Sequence, residues 1–199
     1  MKPDLPEVTL ASASPRRAEL LRILLPEFSI QPADIDETRG SGESPRDHVA
    51  RLAREKARAV ADTRPGALVL GSDTVVVLDN APLGKPAGPD QARSMLAALS
   101  GGEHQVMTSV ALVGPGVLLE ALSVTRVFMD CLPADWIESY IASGEPMDKA
   151  GAYGIQGAAA AWIPRIDGSH SAVMGLPLHE TARILRRGGV PAGGGGKRG

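Results

Sequence analysis

The chain has 199 residues, of which 43% are hydrophobic, 22% charged and only 3% aromatic, with a formal net charge of -2. That length predicts one domain, or two tightly joined lobes, with a substantial core built from Leu, Val, Ile and Ala. The near-neutral charge and the scarcity of aromatic rings argue against a nucleic-acid partner, so any phosphate must be held by a local cluster of residues.

The single cysteine, Cys131, excludes a disulfide within the chain and zinc bound through a cysteine set. It is expected as a small buried residue. Met1-Lys2-Pro3-Asp4 lacks the apolar run of a secretory signal, and no segment approaches the roughly 20 apolar residues of a membrane span. A cytoplasmic protein without a membrane partner is therefore expected.

Val8 to Ala11 reads as a first strand. Ser14 suits an N-cap and Pro15 the first turn of a helix reaching Leu25. Phe28 to Ile30 is extended, and Asp34 to Gly42 forms an acidic loop. Ser44-Pro45 repeats the cap signal and opens a helix to about Ala61. Ala67 to Gly71 is a buried strand, and Ser72-Asp73-Thr74 leads into a second β-branched run, Val75 to Leu78. A turn over Asp79 to Pro82 pairs Leu78 with Leu83, which sets Lys85 opposite Val76 and about three residues from Asp73. Asp90 caps a helix to Leu99. Gln105 to Val113 and Leu118 to Met129 are paired strands, and Pro133 to Ser143 is helical. Met147 to Gly157 is a Gly/Ala-rich loop. Ala158 to Ile166 and Ser169 to Met174 form a hairpin over Asp167-Gly168. Leu178 to Arg187 is the last helix, and residues 188–199, with their glycine run, form a disordered tail. These elements imply an α/β fold with a mixed sheet.

Four places can carry chemistry. Ser12, Arg16 and Arg17 lie at a helix N-terminus, where cations oppose the macrodipole unless an anion is present. They form either a phosphate cradle or a pair of solvated arginines. Lys56 falls within the apolar stripe Val49, Leu52, Ala53, Ala57 and Val60, so it either snorkels to an edge or reaches a phosphate or carboxylate. Asp73 can hold a cation and activate water, with Lys85 near enough to flank the same triphosphate. Otherwise Asp73 starts a strand and Lys85 decorates an edge. In the segment from Lys149 to Gly157, glycines allow close backbone approach, and Gln156 offers a donor and an acceptor suited to a base edge. Asp36-Glu37 adds further carboxylates or is an exposed acidic turn. His48, His104, His170 and His179 lack metal-ligand spacing and are expected on the surface or in hydrogen bonds.

The order of these segments along the chain resembles the Maf family of nucleotide pyrophosphatases. The resemblance rests on Ala11-Ser-Ala-Ser-Pro-Arg-Arg17, Asp36-Glu37-Thr38, Arg54-Glu-Lys56-Ala57, Gly71-Ser-Asp-Thr-Val-Val76, Gly84-Lys-Pro86, Asp148 to Gly157 and Gly168 to Pro177. It implies one domain over residues 1–187, with a mixed twisted sheet flanked by helices. It also implies two lobes around a cleft, as in inosine triphosphate pyrophosphatases. Carried over by position, Asp73 is the proton acceptor. Ser12, Arg16, Arg17, Lys56 and Lys85 bind phosphate, and Glu37 with Asp73 holds a divalent metal (Mg or Mn). Arg17, Thr74 and Gln156 bear on the choice of base. Asp73-Thr74 and Ile155-Gln156-Gly157 match the branch that resembles dTTP/UTP pyrophosphatases. An uncharged amide suits a uracil or thymine edge, whereas a 7-methyl-GTP branch carries a carboxylate there. His170 departs from the Tyr often found in the family. The alternatives are a 7-methyl-GTP pyrophosphatase, a broad house-cleaning activity on modified pyrimidine nucleotides, and a non-catalytic nucleotide-binding regulator of cell division or septum formation. A homodimer is a family-level expectation.

Overall fold

A computed structural model of the chain describes residues 6–193. It forms a seven-stranded sheet. Strand β1 (Val8–Leu10) runs parallel to β2 (Ser29–Ile30) on one side and to β3 (Leu68–Leu78) on the other, with Thr9 level with Val69. Strands β4 (Ala81–Leu83), β5 (Glu103–Gly114), β6 (Val117–Phe128) and β7 (Arg165–Asp167) complete it, in the order β2-β1-β3-β5-β6-β7 with β4 paired to β3. The β3–β4 and β6–β7 pairs are antiparallel, so the sheet is mixed as expected. The helices are α1 (Pro15–Leu24), α2 (Pro45–Ala61), α3 (Pro89–Leu99), α4 (Ala134–Ala142), α5 (His170–Val173) and α6 (Leu178–Arg187). No helix among the described residues is long and apolar enough to cross a membrane.

The chain divides into two compact units. The first contains the residues up to Asp73, Thr108–Leu122 and those from Gly175 onward. Its core includes the fully buried Leu10, Leu21, Leu52, Leu70, Leu112 and Ile184, each contributing about 2 kcal/mol by burial. Ser44 caps α2 by accepting the Asp47 amide at 3.1 Å and donating to the Asp47 carboxylate at 2.6 Å. The serine thereby satisfies one of the free amides at the start of the helix. The apolar stripe of α2 lies on β3 so closely that a Cβ at Gly71 would come within 2.1 Å of the Ala53 carbonyl oxygen. The tail expected from Gly188 is packed as far as Gly193. Val190 and Ala192 are buried, Arg186 Nε donates to the Ala192 carbonyl at 2.9 Å, and the Gly193 amide donates to Leu24. Apolar side chains at 190 and 192 give that stretch a surface to bury, which the glycine run does not. The rest of the expected tail, 194–199, lies outside the described residues.

The second unit holds Thr74–Met107 and Ser123–Met174. Val76, Leu96, Leu99, Val127, Ile137 and Tyr153 are among its buried core. Four sequence expectations change within it. The β3–β4 turn has two residues, Asp79 and Asn80, with φ of 49° and 62°. That is the positive-φ geometry that matches strand twist in a tight hairpin. Leu78 therefore faces Ala81 and Val76 faces Leu83, and Lys85 lies beyond the last paired residue instead of opposite Val76. Gly88, not Asp90, caps α3, because Pro89 takes the first helical position. The hairpin expected over Asp167-Gly168 is absent from 158–174. Ala158–Trp162 is a 3₁₀ turn, and Ser169 caps α5 by accepting the Ala172 amide. An alanine run and a serine cap favour helical turns over strand. Cys131 is exposed and lies between β6 and α4, not in the core.

Candidate active site

In the first unit, five of the residues singled out from the sequence lie close together. Lys56 sits on the inward face of α2, where helical periodicity put it, and its side chain is only 10% exposed. Its Nζ donates to Asp73 Oδ1 at 2.7 Å and approaches Glu37 Oε1 at 2.8 Å. Of the two readings of Lys56, the pairing with carboxylates is the one observed. Asp73 does not start a strand. Residues 68–78 form one uninterrupted β3 with near-continuous burial, and Asp73 lies in its middle with its side chain 11% exposed. A buried carboxylate is tolerable only with a cation and hydrogen bonds at hand. Lys56 supplies the cation.

Arg17, in the first turn of α1, donates from Nε to the Gly175 carbonyl at 3.0 Å and from a terminal nitrogen to Ser12 Oγ at 3.4 Å. Burial pulls its pKa below the ordinary guanidinium value, while the charges of Asp73 and Glu37 pull it back up and Arg16 lowers it further. Those couplings place Arg16, Arg17, Glu37 and Asp73 in one electrostatic neighbourhood. Ser12 is buried and accepts the Ser14 amide at 3.1 Å. Ser14 makes no side-chain cap, and α1 has no acidic residue in its first turn, so that helix end keeps its positive character. Arg16 is half-buried.

Sequence reading passed over the residues that hold this group in place. Ser72 Oγ lies 3.0 Å from the Ser109 carbonyl and 2.9 Å from the Gly175 carbonyl, the same oxygen that Arg17 engages. Gly175 has φ of 110°, which only glycine adopts without strain. The loop carrying Glu37 is tied by Arg51, which donates to the Thr38 carbonyl at 3.1 Å and to both oxygens of Glu43 at 2.7 and 2.9 Å. Those bonds hold the Glu43 carboxyl down at about 2. The one available signal was the run of basic residues on α2 beside an acidic loop.

The remaining candidates belong to the second unit. Thr74 is half-buried, whereas Lys85 and Gln156 are exposed. Gly151 joins two of these segments, since its amide donates to the Gly84 carbonyl at 3.0 Å. His104 is buried and bonded through Nε2 to the Tyr153 hydroxyl at 2.7 Å, and burial lowers its pKa to about 4.

No group of three or more His, Cys, Asp and Glu among the described residues could hold a metal alone. Asp73 and Glu37 nevertheless meet on one cationic nitrogen. Two carboxylates suit a hard divalent cation that completes its shell with phosphate oxygens and water.

Known proteins share this sequence over most of its length. The model of the Maf-like protein family matches residues 7–188. A dTTP/UTP pyrophosphatase of Anaeromyxobacter dehalogenans is 52% identical over 190 residues, covering 94% of this chain and 96% of the relative. Proteins of the same name from Koribacter versatilis and Symbiobacterium thermophilum are 48% and 50% identical, covering 91% and 93% of this chain and 94% and 95% of theirs. The Ham1 protein of Staphylococcus aureus is similar at a TM-score of 0.45 and 14% identity, covering 62% of this chain and 71% of that one, too partial a likeness to bear on the fold. The family match and the near full-length relatives together show that this chain belongs to the Maf family.

Proposed function

We propose that this chain hydrolyses dTTP and UTP between the α- and β-phosphates, releasing the nucleoside monophosphate and pyrophosphate. The observation that carries the reading is the buried Lys56–Asp73 pair with Glu37 on the same ammonium, in a chain about half identical to proteins named for that reaction. A carboxylate held in a half-dry environment beside fixed cations is suited to accept a proton from water attacking phosphorus.

In this reading Asp73 orients the water and takes its proton. Lys56, Arg16 and Arg17, with Ser12 and the α1 N-terminus, neutralise charge on the phosphates, and Lys85 does the same. Positioning and charge stabilisation supply most of the acceleration in phosphoryl chemistry. Asp73 and Glu37 would hold a divalent cation, which when bound polarises the phosphoryl oxygens. Arg17, Thr74 and Gln156 select the base, and the neutral Gln156 amide can pair with the donor and acceptor of a uracil or thymine edge. We assign one functional domain to residues 1–187, and the nucleotide substrates point to the cytoplasm as its compartment.

The test is a panel of UTP, dTTP, CTP and 7-methyl-GTP, run with Mg²⁺, with Mn²⁺ and with chelator. Pyrophosphate should appear from UTP and dTTP, and chelation should abolish it. Binding without pyrophosphate release would sink the reading, and preference for 7-methyl-GTP would move the chain to the other branch.

A further inference from the structure

The segment that carries Gln156 has little regular structure of its own. It runs through two 3₁₀ turns, Glu145–Asp148 and Ala150–Ala152, and places Gly151 and Ala152 at positive φ (69° and 60°). A buried alanine in that conformation persists only where its surroundings over-determine it. Backbone amides without a ladder must find other acceptors. Gly151, Ala152 and Gly157 donate to backbone carbonyls, and two side chains serve others. Tyr140, on α4, accepts the Gly154 amide at 3.1 Å and donates its hydroxyl proton to Glu145 Oε1 at 2.9 Å. Glu145 Oε2 lies 3.4 Å from the Ala158 amide. The Glu145 carboxylate is pressed so closely on Gly157 that a Cβ there would come within 1.8 Å of Oε1. Gly154 and Gly157 flank Gln156, and Gln156 is exposed while Tyr153, Gly154 and Ile155 are buried. Burial keeps the Tyr140 hydroxyl protonated well above its ordinary range, so it remains a donor throughout the working pH range.

We infer that Tyr140 and Glu145 are specificity-positioning residues: they clamp both flanks of Gln156 and hold its amide in the one orientation that reads the nucleobase. The inference rests on the pyrophosphatase reading for what Gln156 does, but not for the clamp itself. Tyr140 is the informative residue because Tyr140→Phe removes a single oxygen and leaves the ring stacked on Trp136, 4.7 Å between centroids. That oxygen serves as both acceptor and donor in the clamp.

The experiment compares the full-length wild type with Tyr140→Phe, Glu145→Gln and Glu145→Ala. It measures steady-state kinetics on UTP and CTP and amide hydrogen exchange across 149–158. Tyr140→Phe should raise KM for UTP about five- to tenfold, the scale of losing the buried hydrogen bond to the Gly154 amide. It should leave kcat within about twofold, because loss of base binding common to ground and transition states does not slow the chemical step. The preference for UTP over CTP should shrink and the Gly154 amide should exchange faster. Glu145→Gln keeps an acceptor for Tyr140 and should retain more discrimination than Glu145→Ala. A loop that merely stabilised the fold would lower the melting temperature without moving the UTP/CTP ratio, and that result would overturn the inference. Should Tyr140→Phe fail to fold, the two Glu145 variants decide the matter by the same ratio. If the wild type releases no pyrophosphate, the pyrophosphatase reading fails by itself, and exchange decides the clamp. Unchanged exchange at 154–158 in the variants overturns it.

Discussion

The two units hold their candidate residues by different physics. In the first, charge does the holding: Lys56 joins Asp73 and Glu37, and Arg51 ties the adjoining loop through Glu43. In the second, the Gln156 segment is held mostly by ring packing and hydroxyl hydrogen bonds, through Tyr140, Tyr153 and His104, with the Glu145 carboxylate accepting from Tyr140. Of the chain's few aromatic residues only Phe28 lies in the first unit, while Phe128, Trp136, Tyr140, Tyr153 and Trp162 lie in the second. Charges that move with a phosphate and a proton suit a reacting centre. Contacts made mainly by rings and hydroxyls suit a surface that must only discriminate shape and hydrogen-bond pattern.

Neutralising one atom pair should break the first unit's function outright. Asp73→Asn is expected to lower kcat by about 10²- to 10⁴-fold, the usual worth of a positioned general base. Lys56 retains Glu37, so the melting temperature should shift little. Near-normal turnover would remove Asp73 from the proton-accepting role. Lys56→Met should cost about 10²-fold in kcat/KM, and it should also lower stability, because Asp73 is left buried without a cation. A stable and active Lys56→Met enzyme would mean that the pair is ornamental.

The second unit sharpens the contrast through pH. His104 has a pKa of about 4 in the fold against 6.5 for the free side chain, and burial is the cause. The unfolded chain therefore binds more protons between those values, so stability is complete above pH 6.5 and declines as pH falls toward 4. The loss is on the order of 3 kcal/mol by linkage. Thermal melts from pH 7.5 to 4.5 should show that slope, and His104→Gln should flatten it. Equal slopes in the two proteins would mean that another group is responsible. The smallest effect belongs to the partly buried brace of the Glu37 loop. Glu43, held at about 2 by Arg51, contributes its stability above the unfolded carboxylate range, and that contribution is lost only as pH falls toward 2. Glu43→Gln should thus weaken metal-supported turnover by less than about tenfold at neutral pH, measured as a rise in the Mg²⁺ concentration for half-maximal rate. No change in that concentration would separate the brace from Glu37.

Much of the first unit was legible. The Ser44-Pro45 cap and the α2 stripe followed from local chemistry, and Lys56 stood out because a charge on an apolar face requires a partner. Asp73 stands out by its motif, but it lies inside a strand and does not open one. Ser72 and Asp73 have weak strand preference, and only pairing with neighbouring strands carries β3 straight through them. The second unit was less legible because its decisive contacts join residues distant in sequence. Nothing local links Tyr140 to Gly154 or Glu145 to Gly157. Ala158–Trp162 could be read either as strand or as turn, and the Lys85 register depended on a two-residue turn that the sequence Asp79-Asn80-Ala81-Pro82 concealed behind its proline. The exposed Cys131 shows the limit of residue-type statistics at a single position.

The contact at Gly71 has a practical consequence. Because main chain meets main chain there, with the Ala53 carbonyl where a side chain would begin, the separation of the lysine-bearing helix from the aspartate-bearing strand is fixed by the backbone alone. Recoding the outward side of that helix, for labels, crystal contacts or immobilisation at Arg58, should therefore leave turnover intact, whereas even a methyl group at residue 71 acts as a wedge that drives the ammonium away from the carboxylate.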